Sequence, residues 1–133
     1  MSSVEELGQI RLSAMESFLS DYEIGKIQGR YIAGELPLLP FGNGAFDLAL
    51  SSHFLFLYNA QLSLEFHLES ITQMLRVANE VRIFPLLTLD GRKSSCLKTV
   101  IQSFKNQGFV AEIRRVPYEF QKSGNEMLLV RHV

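Results

Sequence analysis

Apolar residues recur at near-helical spacing through the first stretch of the chain. Val4, Leu7, Ile10, Met15, Phe18 and Tyr22 stand between polar positions, which predicts an amphipathic helix over residues 3 to about 22 with one face in a core. A polar stretch from Gly25 to Gly29 follows. Arg30 to Leu36 then has strand length and moderate strand propensity, and Pro37 and Pro40 break it. Gly42-Asn43-Gly44 signals a turn. The nearly unbroken run Phe46-Asp47-Leu48-Ala49-Leu50 is of the kind buried on both faces of a parallel sheet, so residues 46–52 are expected to form a central strand.

Ser63 is suited to cap a helix in which Leu64, Leu68, Ile71 and Leu75 form one stripe, ending near Ala78. Glu80 to Phe84 reads as a strand with Pro85 near its end. After a loop at Asp90-Gly91, Ser94 or Ser95 caps a third helix carrying Leu97, Val100, Ile101 and Phe104. Gly108 stands where a left-handed C-terminal cap is expected. Two strand-like segments, Phe109 to about Phe120 and Glu126 to His132, are joined by Ser123-Gly124-Asn125, which predicts a closing antiparallel hairpin. Helices and strands alternate in the middle, so the expected fold is α/β with a mostly parallel sheet.

The 133 residues suit a single domain over 1–133, and 47% hydrophobic with 20% charged residues gives no sign of long-range disorder. Thirteen Lys and Arg against fourteen Asp and Glu leave a net charge of −1, so there is no whole-molecule pull toward nucleic acid or anionic membrane. Cys96 is the only cysteine, which removes internal disulfides and multi-cysteine zinc sites. Glu5 and Glu6 stand where a secretory signal needs basic residues, and a cytoplasmic location is expected.

Several chemistries lack their residues. Gly42-x-Gly44 precedes a strand, whereas a dinucleotide loop follows one. Asp90-Gly91-Arg92-Lys93-Ser94 resembles a phosphate loop faintly but lacks its first glycine, so the capped-helix reading is preferred. His67-x-Glu69 copies the start of a zinc deaminase signature without the cysteine pair. His53, His67 and His132 lack the spacing that places two imidazoles on one metal, so no metal is expected. No Gly-x-Ser-x-Gly is present for a nucleophilic triad.

One constellation remains. Ala33-Gly34-Glu35-Leu36, Leu39-Pro40-Phe41 and the run from Gly44 to Leu55 stand in order, followed by Met74 to Ala78, Gly108-Phe109 and a terminal hairpin. This series resembles the later two-thirds of class I S-adenosylmethionine-dependent methyltransferases of the small-molecule type. The resemblance implies a partial Rossmann-like sheet and, in a complete enzyme, methyl transfer from S-adenosylmethionine to a small-molecule acceptor. It implies that Glu35 accepts a hydrogen bond from the adenine amino group and that the Leu36 amide meets the ring. Ser51 and Ser52 fall where the family places the sulfonium, and His53 falls where an acceptor is oriented or deprotonated. As alternatives, Glu35 is a solvated strand-end acid and His53 a strand cap.

The family's first strand, its glycine-rich loop and the acidic end of its second strand have no counterpart in these residues, which implies impaired cofactor binding by this chain alone. The family sheet runs 3-2-1-4-5-7-6. Residues 46–52 correspond to strand 4, whose neighbour is missing, so an open edge is expected there. Pairing with a second copy gives a homodimer; a complementary chain, or residues 30–36 moving into the gap, are the alternatives. The competing functional reading is a non-catalytic domain that uses this edge for self-association or partner binding.

Overall fold

The computed structural model describes residues 4–118 and 124–133. They fall into two compact units, Met1–Gly34 and Glu35–Val133. The first unit is built on helix α1, Val4–Ile27. It runs five residues past the expected end because Gly25 lies inside the helix, where a side chain would collide with the Tyr31 ring. Gly29, at φ 76°, ends α1. Its amide donates to the Lys26 carbonyl and the Arg30 amide to the Gly25 carbonyl, the paired bonds of a Schellman cap.

The chain then turns back along α1. The Arg30 guanidinium forms a two-point pair with Asp21 at 2.6 and 2.9 Å. Tyr31 packs edge-on to Phe18 and Tyr22, at centroid separations of 5.8 and 5.1 Å. These contacts correct the expected strand at 30–36, since Tyr31 is held by α1 and no strand pairs with the segment. The expected core face of α1 is corrected too. Ile10, Met15, Leu19 and Ile24 remain exposed and Gly25 is its one buried residue. Leu12, Leu19 and Ile24 fall off the stripe that Val4 to Tyr22 suggested, so apolar groups are spread around the helix.

The second unit holds strands β1 (Phe46–Ser52), β2 (Ala78–Phe84), β3 (Val110–Arg115) and β4 (Glu126–Arg131), with helices α2 (Leu64–Val77) and α3 (Leu97–Asn106). The sheet order is β1-β2-β4-β3. β1 and β2 are parallel, while β4 is antiparallel to both β2 and β3. The sheet is therefore mixed, which corrects the expectation of a mostly parallel one: β4 is inserted between two strands of the opposite direction. β3 and β4 do form the expected antiparallel pair. The Val116 amide reaches the Asn125 carbonyl at 2.8 Å beside the reversal; of the expected turn Ser123-Gly124-Asn125, Ser123 lies outside the described residues.

β1 is an edge strand, in line with the open edge expected at residues 46–52 and not the central strand that its apolar run suggested. Its described hydrogen-bonded neighbour is β2, and Phe46, Leu48 and Leu50 are 45, 43 and 69% exposed. Among the described residues of this unit, a run suited to burial on both faces thus has a layer on one face alone. Both crossovers, β1 to β2 and β2 to β3, advance in the same direction across the sheet, which places right-handed connections on one side. α2 and α3 accordingly touch and share one core with Val81, Ile83, Leu128, Val130 and Ala111.

Local chemistry sets the helix limits. The Ser63 hydroxyl accepts from the Phe66 amide at 3.0 Å, and Ala78 passes directly into β2. The third helix departs slightly from expectation: Cys96 occupies the N-cap without a side-chain cap, and the Ser94 hydroxyl instead accepts from the Cys96 amide at 3.3 Å. At the other end Gly108, at φ 94°, permits a second Schellman cap. The Phe109 amide reaches the Phe104 carbonyl at 3.0 Å, and the two rings meet at 5.8 Å.

Candidate functional site

Parallel β1 and β2 end side by side, with Ser52 opposite Phe84. The chain leaves β1 through Ser51, Ser52 and His53, so these three expected residues do come together at the carboxyl end of the strand. Ser51 is buried, whereas Ser52 is exposed and His53 half-buried. Ser52 Oγ lies 2.5 Å from His53 Nδ1. The His53 amide donates to the Phe84 carbonyl at 2.7 Å, which ties the loop to the end of β2. His53 sits at φ 60°, a left-handed conformation uncommon for a residue with a side chain and held only where surrounding bonds enforce it.

Two grooves flank this strand end. An apolar one of about 310 Å³ runs along β1, with Leu36, Leu39, Phe41, Ser51, Met74 and Val77 in its walls. Leu36 and Ser51 therefore share a cavity. Glu35 is exposed outside it, and Ser52 and His53 do not line it. The loop forming the outer wall is clamped by α2. Gln73 Oε1 accepts from the Leu39 amide at 3.0 Å, and Arg76 donates to the Leu39 carbonyl at 3.1 Å and to Asn43 Oδ1 at 2.9 Å. The Gly44 amide returns to the Arg76 carbonyl at 2.9 Å. Sequence reasoning missed this clamp because its partners are more than thirty residues apart.

The second groove, about 360 Å³, lies between the loops that follow β1 and β2. Asn59, Gln61, Thr88, Asp90, Lys93 and Ser95 contribute polar groups to it. The Ser94 hydroxyl donates to Asn59 Oδ1 at 2.5 Å, and Asn59 Nδ2 donates to Ser95 Oγ at 3.1 Å, so the amide is fixed in orientation. Thr88 to Arg92 forms a tight reversal. The Gly91 amide bonds to the Thr88 carbonyl at 3.0 Å, and Gly91 sits at φ 82°. The Thr88 hydroxyl donates to Asp90, and with the Arg92 charge it holds that carboxyl below its ordinary range. None of these groove residues was expected as a site; the signals were the Asp90-Gly91 turn and the faint phosphate-loop likeness of Asp90 to Ser94, which was set aside for a helix cap.

His67 organises the first of these loops. It is fully buried on α2, and Nε2 accepts the Phe56 amide at 2.9 Å. The obligate donor at Phe56 fixes the tautomer, so Nδ1–H donates to the Ser63 carbonyl at 2.8 Å. Phe56 is itself left-handed, at φ 67°, and this bond pins it there. Leu55, Phe56 and Leu57 are buried, so the apolar run after His53 is core. His132 is also engaged, Nε2 lying 2.7 Å from the Leu75 carbonyl. Among the described residues, no three His, Cys, Asp or Glu side chains lie where they could hold a metal ion.

Burial lowers the His67 pKa below its ordinary value, with the Ser63 carbonyl opposing. The folded chain then binds a proton less readily than the unfolded chain. Its contribution to stability is complete above the unfolded value of about 6.5 and falls as pH drops below it. We expect wild type to lose stability through this group as pH falls below the unfolded value of about 6.5, at no more than about 1.4 kcal/mol per pH unit. Urea unfolding of wild type and His67→Gln across that range checks it, and parallel loss in both proteins would refute the assignment.

The described residues thus define an α/β protein with a mixed four-stranded sheet and a ligand-sized crevice at the carboxyl end of its parallel pair. An uncharacterized protein of Methanocaldococcus jannaschii is 36% identical over 129 residues, which is 97% of this chain and 55% of that relative. The chain therefore spans about half the length of the curated relative it matches. No protein-family model matches it, and no solved structure does. No described helix is long and apolar enough to cross a membrane.

Proposed function

We propose that this chain is the later part of a class I methyltransferase-like protein of the cytoplasm, using S-adenosylmethionine and a small-molecule acceptor when its cofactor-binding part is supplied. The observation that supports this reading most is the strand order and direction. The order β1-β2-β4-β3, with β4 reversed, is compatible with the family's 4-5-7-6 series, and in this reading family strand 1 would pair with the open side of β1. The apolar groove beside Leu36 and Ser51 is suited to the adenine, with Glu35 at its margin as acceptor for the amino group. Ser52 and His53 would stand toward the acceptor.

Hydrogen bonds worth about 0.5–1.5 kcal/mol each are missing with the glycine-rich loop, so weak binding is expected. Calorimetric titration with S-adenosylhomocysteine should give saturable binding with a Kd above roughly 100 µM. Glu35→Ala should weaken it further by about 1 kcal/mol or more without changing the fold. Absence of saturable binding, or an unchanged Kd in the folded variant, would overturn the assignment.

A second reading is favoured by one observation, the exposed apolar edge of β1. Here the chain is a non-catalytic domain that dimerises by antiparallel pairing of β1 with a second copy, or pairs there with a complementary chain. β1 carries no lysine or proline to discourage pairing. Light scattering is expected to show a dimer at tens of micromolar, roughly the range of ordinary assays. Ala49→Pro, which removes a backbone donor, should shift it to monomer. A stable wild-type monomer would exclude pairing through this edge.

A further inference from the structure

We propose that the groove between the loops after β1 and β2 binds a small organic carboxylate. The polar groups presented there are mainly donors. Lys93 contributes an ammonium that forms no ion pair among the described residues, and Arg92 adds a guanidinium 85% exposed and only 3.8 Å, at Nε, from its nearest carboxylate oxygen on Asp90. Asn59 uses one Nδ2 proton on Ser95 and leaves the second, and Ser95, accepting that bond, has its hydroxyl proton to give. A ligand that satisfies ammonium, guanidinium, amide and hydroxyl donors together is an oxyanion.

Charge selects among oxyanions. The ionisable groups lining the groove are Asp90, Arg92 and Lys93, a balance of one positive charge. Asp90 is held ionised, with the Thr88 hydroxyl bonded to it, so a phosphate dianion would meet a fixed like charge. The Asp90–Gly91 reversal turns its amide inward to Thr88 and forms no glycine-rich cradle for a phosphate. A monoanion fits, and Leu89, 58% exposed, with Ala60 offers an apolar surface for its organic part. A volume of about 360 Å³ limits that part to a small molecule. In the methyltransferase reading this ligand is the acceptor, and the carboxylate preference rests on that reading only for that role.

Two-dimensional ¹H–¹⁵N NMR of the whole chain, titrated at constant ionic strength with benzoate, acetate or phosphate, tests the site. Benzoate should shift the amides of Asn59, Thr88, Lys93 and Ser95 saturably with a Kd in the millimolar range, roughly −4 kcal/mol. Acetate and phosphate should bind more weakly. Lys93→Gln, at an exposed position, should raise the benzoate Kd roughly fivefold or more, while Lys98→Gln on α3 should leave it unchanged. Non-saturating shifts, tighter phosphate binding, or indifference to Lys93→Gln would overturn the proposal. No S-adenosyl compound is present, so these results stand apart from the cofactor titration.

Discussion

Phe104→Ala is expected to destabilise the chain by about 3–5 kcal/mol, the range for emptying a well-packed aromatic site. The ring is fully buried in the core shared by α2, α3 and the sheet. It also closes the C-terminal cap of α3 through its contact with Phe109, while its carbonyl accepts the Phe109 amide. The substitution therefore removes core volume and loosens the turn that aims the chain into β3. Against a typical total of about 5–15 kcal/mol, the variant should be marginally folded. Urea unfolding should show a lower midpoint with unchanged slope. A loss below about 1 kcal/mol would mean that α3 does not pack as described.

His67→Leu should cost about 2–4 kcal/mol, although leucine keeps the site apolar and filled. The loss comes from hydrogen bonding: the buried Phe56 amide is left without its acceptor, at about 1–3 kcal/mol, and the Ser63 carbonyl loses a donor. The effect should be local as well as global. Amide exchange at Phe56 and Asn59 should accelerate more than in β2, because the left-handed turn at Phe56 is held by this imidazole. Wild-type stability and exchange in the Leu variant would remove His67 from its positioning role. The same experiment bears on the proposed carboxylate site, since this loop supplies one wall of the polar groove.

What could be read from the chain was what depends on neighbours along it. The Ser63 cap, the stripe on α2, the end of α3 at Gly108 and the β3–β4 pair all follow from short-range spacing and backbone chemistry. Ser51, Ser52 and His53 were placed at a strand end for the same reason, and β1 starts and stops as its apolar run suggested. The carboxylate groove was not legible. Asn59 and Ser95 meet across 36 residues, and no periodicity records which loops lie together.

Tertiary structure also decided whether a local preference was used. Arg30 to Leu36 has strand propensity, but a strand needs a partner; Tyr31 instead finds two rings and the bare backbone of Gly25. His67 stands at helical spacing with Leu64 and Ile71 and His53 follows a strand, but neither spacing records which group its ring meets. One is sealed under Phe56 as a neutral acceptor, and the other sits half-buried at the strand end. Apolar composition made β1 suited to burial on two faces, whereas the strand order left it at an edge. Spacing determines which elements form, because helix and strand periods are local. Which edge, groove or amide they finally serve is set by contacts distant in sequence, whose hydrogen bonds and burial exist only once the sheet has assembled.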